Sequence, residues 1–172
     1  MRNQKEKIKV GQIDFGEKVV AIDRVSKVVE GGRTPRSRAL VVVFNPEKRI
    51  VGFGTGKSKE TSPAIRKASH DARKNLIKVP MQRGTIPHKV VGKFQGAKVM
   101  LRPASPGTGV IAGAGVRIVL ESVGIQNILA KSLGSNNPHN LVRATFVALK
   151  QLWDPLMVAR RRGISLDKVF NG

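Results

Sequence analysis

The stretch VGFGTGKSKE, residues 51–60, is similar at first reading to the phosphate-binding loop of ATPases. That loop needs its first glycine five positions before its last one, because the intervening backbone amides curl around the phosphates. Five positions before Gly56 lies Val51, which is not a glycine. The spacing therefore excludes a nucleotide-binding loop, and the stretch needs another interpretation.

Two lysines lead from this stretch into a predicted helix. Lys57 and Lys59 come just before the helix start, where free backbone amides favour anions. The glycines allow the backbone to approach a partner closely. We therefore interpret residues 51–60 as a strand-to-helix turn that contacts RNA phosphates, and a plain turn with solvated lysines is the alternative.

The charge favours nucleic acid as the partner. The 172 residues include 32 Lys and Arg against 11 Asp and Glu, a formal net charge of +21. Both halves are basic, with 19 basic and 8 acidic side chains in residues 1–80 and 13 against 3 in residues 81–172. Such a charge repels itself unless a polyanion neutralises it. The even distribution predicts a protein surrounded by phosphates.

The composition also excludes several classes of protein. Cysteine is absent, which excludes disulfides, thiolate metal sites and a cysteine nucleophile. The longest apolar run, Ala39 to Phe44, is far shorter than the ~20 residues of a membrane span, and residues 1–16 contain no apolar signal core, so we expect a cytoplasmic protein. Glu121 is the only carboxylate between Ala72 and Trp153. We predict no catalytic site, no metal or other cofactor and no small-molecule substrate.

The first half of the chain predicts three strands and a helix. The strand patterns cover Val19 to Val29, Ala39 to Phe44 and Arg49 to Gly54. Residues 30–38, EGGRTPRSR, are interpreted as a loop too long for a tight hairpin. Ser62 is predicted to cap a helix with Pro63 at its first position. Apolar residues at helical spacing are expected to face inward: Ile65, Ala68, Ala72 and Leu76.

The second half alternates strands and helices, which indicates an α+β class. HKVVGKF and AKVMLRP predict an antiparallel pair, VRIVLESVG a helix and NILAKSLG a strand. Pro138 to Leu152 predicts an amphipathic helix that Pro155 ends. After the cationic run Arg160 to Arg162, Ser165 is expected to cap a last short helix.

A break rich in proline and glycine, VPMQRGTIPH at residues 79–88, is interpreted as an inter-domain link. The predicted organisation is a flexible tail at 1–16, a first domain at 17–80, a second domain at 81–155 and a basic C-terminal extension with a short helix at 156–172.

Two further segments carry candidate sites. RVSKVVEGGRTPRSR, residues 24–38, places five cations around a double glycine, and the arginine fork matches phosphate oxygens. PASPGTGVIAGAG, residues 103–115, formally matches a dinucleotide fingerprint at Gly107 to Ala112, yet it lacks the acidic residue expected about 20 positions on. Close packing of backbone against RNA or a protein neighbour explains these glycines.

The candidate RNA-binding residues are Arg24, Ser26, Lys27, Gly31, Gly32, Arg33, Arg36, Arg38, Lys57, Lys59, Arg66, Lys67, Arg102 and Arg117.

Seven segments together resemble the S-five family of small-ribosomal-subunit proteins in its bacterial form: RVSKVVEGGR, ALVVV, VGFGTGK, IRKASHDARKNL, PASPGTGVIAGAGVR, LAKSLGSNNPHNLVRAT and RGISLDKVF. The resemblance runs in order from Glu17 to Phe170. It implies an N-terminal domain similar to double-stranded-RNA-binding domains, with three strands and a helix. An α+β sandwich domain, of the type found as domain two of this family, follows it.

The resemblance also implies a function without enzyme chemistry. Family members are structural constituents that bind small-subunit (16S-type) ribosomal RNA and support assembly. They lie beside ribosomal proteins four and eight, and they influence translational accuracy and messenger RNA at the channel through which it enters. The alternatives are a free double-stranded-RNA-binding regulator and an RNA-dependent NTPase.

Two groups of residues carry finer roles over from the family. Val25, Ser26, Lys27 and Gly31 fall in the loop whose changes confer spectinomycin resistance. The residues Gly107, Thr108 and Gly109 fall near the interface with ribosomal protein four.

Overall fold

A computed structural model describes residues 14–171 of the chain. It divides into two compact units, of which the first ends at Lys78 and the second begins at Val79. Each unit combines one sheet with at least one helix, so the predicted α+β class is confirmed. Of the predicted tail, residues 1–13 lie outside the described residues.

Residues 14–78 of the first unit form a four-stranded antiparallel sheet and one helix. Its elements are β1 (Gly16–Val29), β2 (Gly32–Asn45), β3 (Ile50–Ser58), α1 (Thr61–Lys74) and β4 (Leu76–Lys78). The strands lie in the order β1-β2-β3-β4. Strand β4 was not predicted, because Leu76 continues the spacing of Ala68 and Ala72 although the helix ends before it.

The prediction of a loop at residues 30–38 is wrong. β1 and β2 pair along their length and leave only a two-residue turn, Glu30–Gly31. Pro35 favoured the loop interpretation, since proline is excluded from the centre of a sheet. β3 pairs with β2 only from Ser37 onward, so β1 is the one described strand beside Pro35. Proline is tolerated in such an edge position.

The glycines of VGFGTGKSKE lie in strand β3 and pack against α1. A Cβ atom on any of them would collide with the helix backbone: Gly52 with Ala72, Gly54 with Ala68 and Gly56 with Ala64. The interpretation of these glycines as a turn that approaches RNA is therefore wrong. Their lack of a side chain allows the helix to lie directly on the sheet.

The core of this unit uses small residues on both sides of that contact. Fully buried side chains from β2 and α1 meet there: Ala39, Val41, Val43, Ala64, Ala68 and Ala72. Phe15 and Ile65 pack against this cluster. Phe15 was assigned to the flexible tail in the sequence analysis, which therefore extended the tail too far.

The helix α1 starts two residues before the predicted position. The helix begins at Thr61 with Glu60 in the N-cap position, and the side chain of Glu60 makes no capping hydrogen bond. The prediction of Ser62 as the cap is therefore wrong. The hydroxyl groups of Thr61 and Ser37 lie 3.3 Å apart and connect the helix start to β2.

Glu17 joins β1 to α1 and supplies a first test of the fold. Its carboxylate accepts hydrogen bonds from Ser69 Oγ at 2.7 Å and Arg73 Nη2 at 3.1 Å. We expect Glu17→Ala to lower the free energy of unfolding by about 1 kcal/mol, because one part-buried hydrogen bond and an exposed ion pair are lost. Urea denaturation measures this, with Glu47→Ala in the exposed β2–β3 turn as the control. Equal losses in both variants would contradict the assignment.

The second unit also contains a four-stranded sheet. Its elements are β5 (Val90–Phe94), β6 (Ala97–Pro103), β7 (Val110–Ile111), α2 (Ala114–Val123), β8 (Ile128–Ser132), α3 (Pro138–Lys150), α4 (Pro155–Arg162) and α5 (Leu166–Asn171). The sheet order is β5-β6-β8-β7, in which only β7 and β8 are parallel. The predicted β5–β6 pair, the helix after it, the strand NILAKSLG and the long helix are confirmed.

Helix α3 covers one face of this sheet. A Cβ atom on Gly92 of β5 would collide with the backbone at Ala144 and Ala148, so the helix lies directly on this strand. Phe146 and Leu149 of α3 are also buried. Sheet and helix therefore meet as in the first unit, with glycine in a strand opposite alanines in a helix.

The segment predicted as a link, residues 79–88, is part of the second unit. Val79 and Ile86 are each 1% exposed. The carbonyl of Gly84 accepts hydrogen bonds from the backbone amides of Gln126 and Asn127. These contacts fix the segment to the loop before β8.

The prediction that Pro155 ends the long helix is wrong. α3 ends at Lys150, and Pro155 opens α4 instead of ending α3. Proline suits the first helical position, where no hydrogen-bonded amide is needed. Asp154 caps this helix by accepting a hydrogen bond from the amide of Leu156 at 3.2 Å. The Arg160–Arg162 run is therefore helical.

Candidate nucleic-acid interface

A two-stranded ribbon extends from the sheet of the first unit. β3 accompanies β2 only as far as Ser37, whereas β1 and β2 remain paired out to the Glu30–Gly31 turn. We call residues 25–36 the hairpin arm. Each of its strands has five residues, which corresponds to a reach of about 17 Å. The predicted RNA-binding loop is thus an ordered projection.

The arm carries cations on both faces. The glycines of β3 identify the face that α1 covers, and side chains alternate between faces along each strand. By this register Ser26 and Arg33 of the arm lie on the α1 side, together with Arg24 just before it. Lys27 and Arg36 lie on the opposite side. All five side chains are exposed, so each face of the arm presents at least one accessible cation.

The base of the arm continues the face that points away from α1. Arg38 of β2 lies directly opposite Lys57 of β3, and both point away from α1. Asp23 of β1 flanks Arg38 on its other side. The structure therefore brings four of the predicted cations onto one sheet face: Lys27, Arg36, Arg38 and Lys57. Arg38 is half-buried and the other three are exposed.

The tip of the arm adds apolar surface that the sequence analysis overlooked. Val28 is 70% exposed and Val29 is 46% exposed. Gly32 has φ 134°, a backbone conformation that favours glycine, and a Cβ on Gly31 would meet nothing within 4 Å. The signal for these valines was present, since a β-branched run leads directly into the double glycine.

The remaining candidates are dispersed. Lys59 lies exposed in the turn before α1, and Arg66 and Lys67 lie exposed on that helix. Arg102 is on β6 and Arg117 is on α2, both in the second unit and both exposed. Arg102 points away from the face that α3 covers, and α2 packs on α3. These two arginines therefore belong to different sides of their unit.

The glycine-rich turn before β7 is held by its own hydrogen bonds. Thr108 donates from its amide and from Oγ1 to the carbonyl of Ser105, at 3.2 and 2.8 Å. The amide of Gly109 donates to Asn127 Oδ1 at 3.1 Å. Gly107 and Gly109 have φ values of 93° and 76°, and a Cβ on either would meet no atom within 4 Å. Gly107 and Gly109 therefore serve backbone conformation, and close packing of this turn against RNA or a protein neighbour stays a prediction.

This turn also differs from a dinucleotide site. In that fingerprint the glycines follow a strand and open a helix. Here Gly107 and Gly109 precede the short strand β7, and α2 begins only at Ala114. The match at Gly107 to Ala112 is therefore coincidental.

The conformation of Gly109 gives a second testable expectation. Alanine at φ 76° is strained, so Gly109→Ala should lower the free energy of unfolding by about 1–2 kcal/mol. Thermal unfolding of the full chain measures this change. Gly96→Ala is the control, because a Cβ there would make only an ordinary contact with Ser135 at 3.7 Å. An unchanged Gly109→Ala variant would show that the turn adapts without strain.

Within residues 14–171, no group of three or more His, Asp or Glu side chains is placed to hold a metal ion. No helix in the same range is long and apolar enough to cross a membrane.

A cationic ribbon on one basic α+β unit, followed in the chain by a second basic α+β unit, is typical of an RNA-binding protein. Comparison with known proteins specifies the family. Residues 15–80 match the family described as ribosomal protein S5, N-terminal domain, and residues 92–162 match ribosomal protein S5, C-terminal domain. The chain belongs to the ribosomal protein S5 family.

Individual relatives agree along the whole chain. Over 176 residues it is 56% identical to small ribosomal subunit protein uS5 of Salinibacter ruber, covering 100% of both chains. Over 173 residues it is 52% identical to the protein of the same name from Bacteroides thetaiotaomicron, again covering 100% of both. The resemblance drawn from the motifs is confirmed. As a member of this family the chain is a structural component of the ribosome and not an enzyme.

Proposed function

We propose that this chain binds small-subunit ribosomal RNA as a structural constituent of the bacterial small ribosomal subunit, and that the hairpin arm is its principal RNA contact. The observation that carries the proposal is the arm itself, a paired ribbon with exposed cations on both faces. Lys27, Arg33 and Arg36 reach beyond the third strand of the sheet. A projection of this kind neutralises phosphates on two sides at once.

The energetics follow from counterion release. Each phosphate that a cation neutralises releases condensed counterions, so the affinity falls with salt by a log–log slope of about −0.9 per contact for duplex DNA and about −0.7 for single strands. The apolar tip at Val28 and Val29 adds contact that salt does not screen. Counterion release and the apolar contact together favour stable incorporation into the subunit over transient binding.

The finer roles are proposed at the same positions. The arm includes Val25, Ser26, Lys27 and Gly31, and changes there are proposed to alter the response to spectinomycin. The turn at Gly107–Gly109 is proposed to face ribosomal protein four, and its exposed position supports a protein contact.

Further proposals concern the particle as a whole. Ribosomal protein eight is a second proposed neighbour. Through these contacts the chain supports assembly, influences translational accuracy and acts on messenger RNA where it enters the subunit. The proposed location is the cytoplasm.

Sedimentation tests the core of the proposal. A tagged copy of the chain, expressed in bacterial cells, should migrate with small-subunit RNA before and after a high-salt wash. A matched Lys27→Glu/Arg33→Glu copy should be lost from the particle during the wash. Recovery of the wild-type chain mainly in the soluble fraction would contradict the proposal and favour a free double-stranded-RNA regulator. The NTPase alternative has no geometric basis, because α1 occupies the face of the β3 glycines.

A further inference from the structure

The sheet of the second unit has one face that its long helices leave open. Helices α2 and α3 contact each other, and α3 lies on β5 and β6, so both cover the same face. Gly92 marks this covered face. Its neighbours Val91 and Lys93 point to the other side, because side chains alternate along a strand. Directly opposite residues on paired strands share a face, so the register also shows which residues of β6 and β8 lie on the open face.

The open face is strongly basic. It presents four cations from three strands: Lys93, Lys98, Arg102 and Lys131. Lys98 is half-buried and the other three are exposed. None of the described residues of β5, β6, β7 and β8 is an Asp or Glu. The charge is therefore not balanced from within the sheet.

The positions of two of these lysines lower the stability of the protein when no anion is bound. Lys93 and Lys98 lie directly opposite each other on β5 and β6. Like charges in directly opposite positions destabilise a sheet. Lys131 extends the positive field from β8, where it lies opposite Met100. A bound anion removes this repulsion, so the arrangement favours an anionic partner over bare solvent.

The chemistry of the face distinguishes between anionic partners. Protein interfaces are depleted in lysine, whereas three of the four cations here are lysines. Lysine binds phosphate as a point charge. The apolar residues Ile111 and Leu129 are 52% and 38% exposed and lie toward the β7 edge. No aromatic side chain points from these strands to this face, so base stacking is not provided.

We propose that this open sheet face binds a second segment of RNA backbone, with Lys93, Lys98, Arg102 and Lys131 as its phosphate contacts. The inference rests on the proposed RNA-binding function and adds a site on the second unit. Arg102 was a candidate from the sequence, and the structure adds the three lysines around it. An open, basic sheet face suits the shallow groove or a single strand of RNA more than a deep groove.

Binding of the full-length chain to transcribed small-subunit ribosomal RNA tests the inference. The variant is Lys93→Gln/Lys98→Gln, and affinity is measured over a series of KCl concentrations. We expect affinity at moderate salt to fall by about tenfold or more and the log–log salt slope to fall by about two, one for each lysine. Lys150→Gln/Lys168→Gln changes the net charge equally with side chains on helices and should keep the wild-type slope.

A stability measurement excludes misfolding as the cause. The Lys93→Gln/Lys98→Gln variant should unfold at the same or a higher temperature than the wild type, because the cross-strand repulsion is removed. Lower RNA affinity together with unchanged or higher stability supports the site. Identical affinities and slopes for this variant and its control would overturn it.

Two other outcomes separate this inference from its premises. Unchanged RNA affinity with loss of the variant from salt-washed particles would overturn the RNA assignment and indicate a protein partner. If Lys27→Glu/Arg33→Glu weakens RNA binding while the sheet variant does not, only the second site is wrong. A wild-type chain without salt-dependent RNA binding would contradict the proposed function itself.

Discussion

Replacing Gly54 by alanine should destabilise the first unit by about 3 kcal/mol, the upper part of the usual range for overpacking a core. A Cβ at this position would collide with the carbonyl oxygen of Ala68 and the amide nitrogen of Ala72. Both are backbone atoms of α1, so no side-chain rotation relieves the collision. The helix must move away from the sheet and expose the small residues between them. Urea denaturation followed by circular dichroism measures the loss.

Two variants make this test specific. Gly31→Ala lies at the tip of the arm with no atom within 4 Å of the new Cβ, and its stability should stay within about 0.5 kcal/mol of the wild type. Ala68→Gly added to Gly54→Ala should not restore stability, since the collision involves the backbone of residue 68 and not its methyl group. Equal stability of Gly54→Ala and Gly31→Ala would show that α1 does not pack on β3 as described.

The largest functional effect is expected from reversing charge on the hairpin arm. Lys27 and Arg33 lie on opposite faces of the arm and both are exposed. Lys27→Glu/Arg33→Glu removes two cations and adds two carboxylates that repel phosphate. We expect affinity for small-subunit ribosomal RNA to fall by more than about tenfold at moderate salt. Filter binding with the full-length chain measures the effect, and growth of cells that depend on the variant measures its consequence.

The control variant makes the same change in net charge at two other positions of the first unit. Lys48 lies in the β2–β3 turn, at the other end of β2 from the arm, and Lys74 lies at the end of α1. Lys48→Glu/Lys74→Glu should bind several-fold more tightly than the arm variant. If both variants lose affinity equally, then RNA binding depends on overall charge and the arm has no special role.

The sequence predicted an RNA-binding protein and the exposed cations of the arm, because charged residues are visible in the sequence and are rarely buried. A cation in a basic chain is rarely buried, so Lys27, Arg33 and Arg36 were identified without a fold. The sequence alone did not show that these residues lie on two faces of the arm, because the face on which a residue lies depends on the strand register. That register was hidden by Pro35, whose tolerance at an edge depends on where β3 ends.

The glycines of β3 show a different limit. Spacing alone correctly excluded a nucleotide loop, but it did not reveal what the glycines approach. They pack against helix α1, which follows later in the chain, and close helix–sheet packing is a tertiary contact. The sequence does contain both periods, glycines at every second position in β3 and alanines at every fourth in α1. Matching the two would have predicted the contact.

The most direct test of the central claim uses the absence of cysteine from the chain. Ser26→Cys then gives a single attachment point for tethered iron on the exposed surface of the arm. After incorporation into small subunits, hydroxyl radicals released there should cleave ribosomal RNA strongly at a discrete set of nucleotides. Incorporation without any such cleavage would contradict the claim that the arm contacts ribosomal RNA.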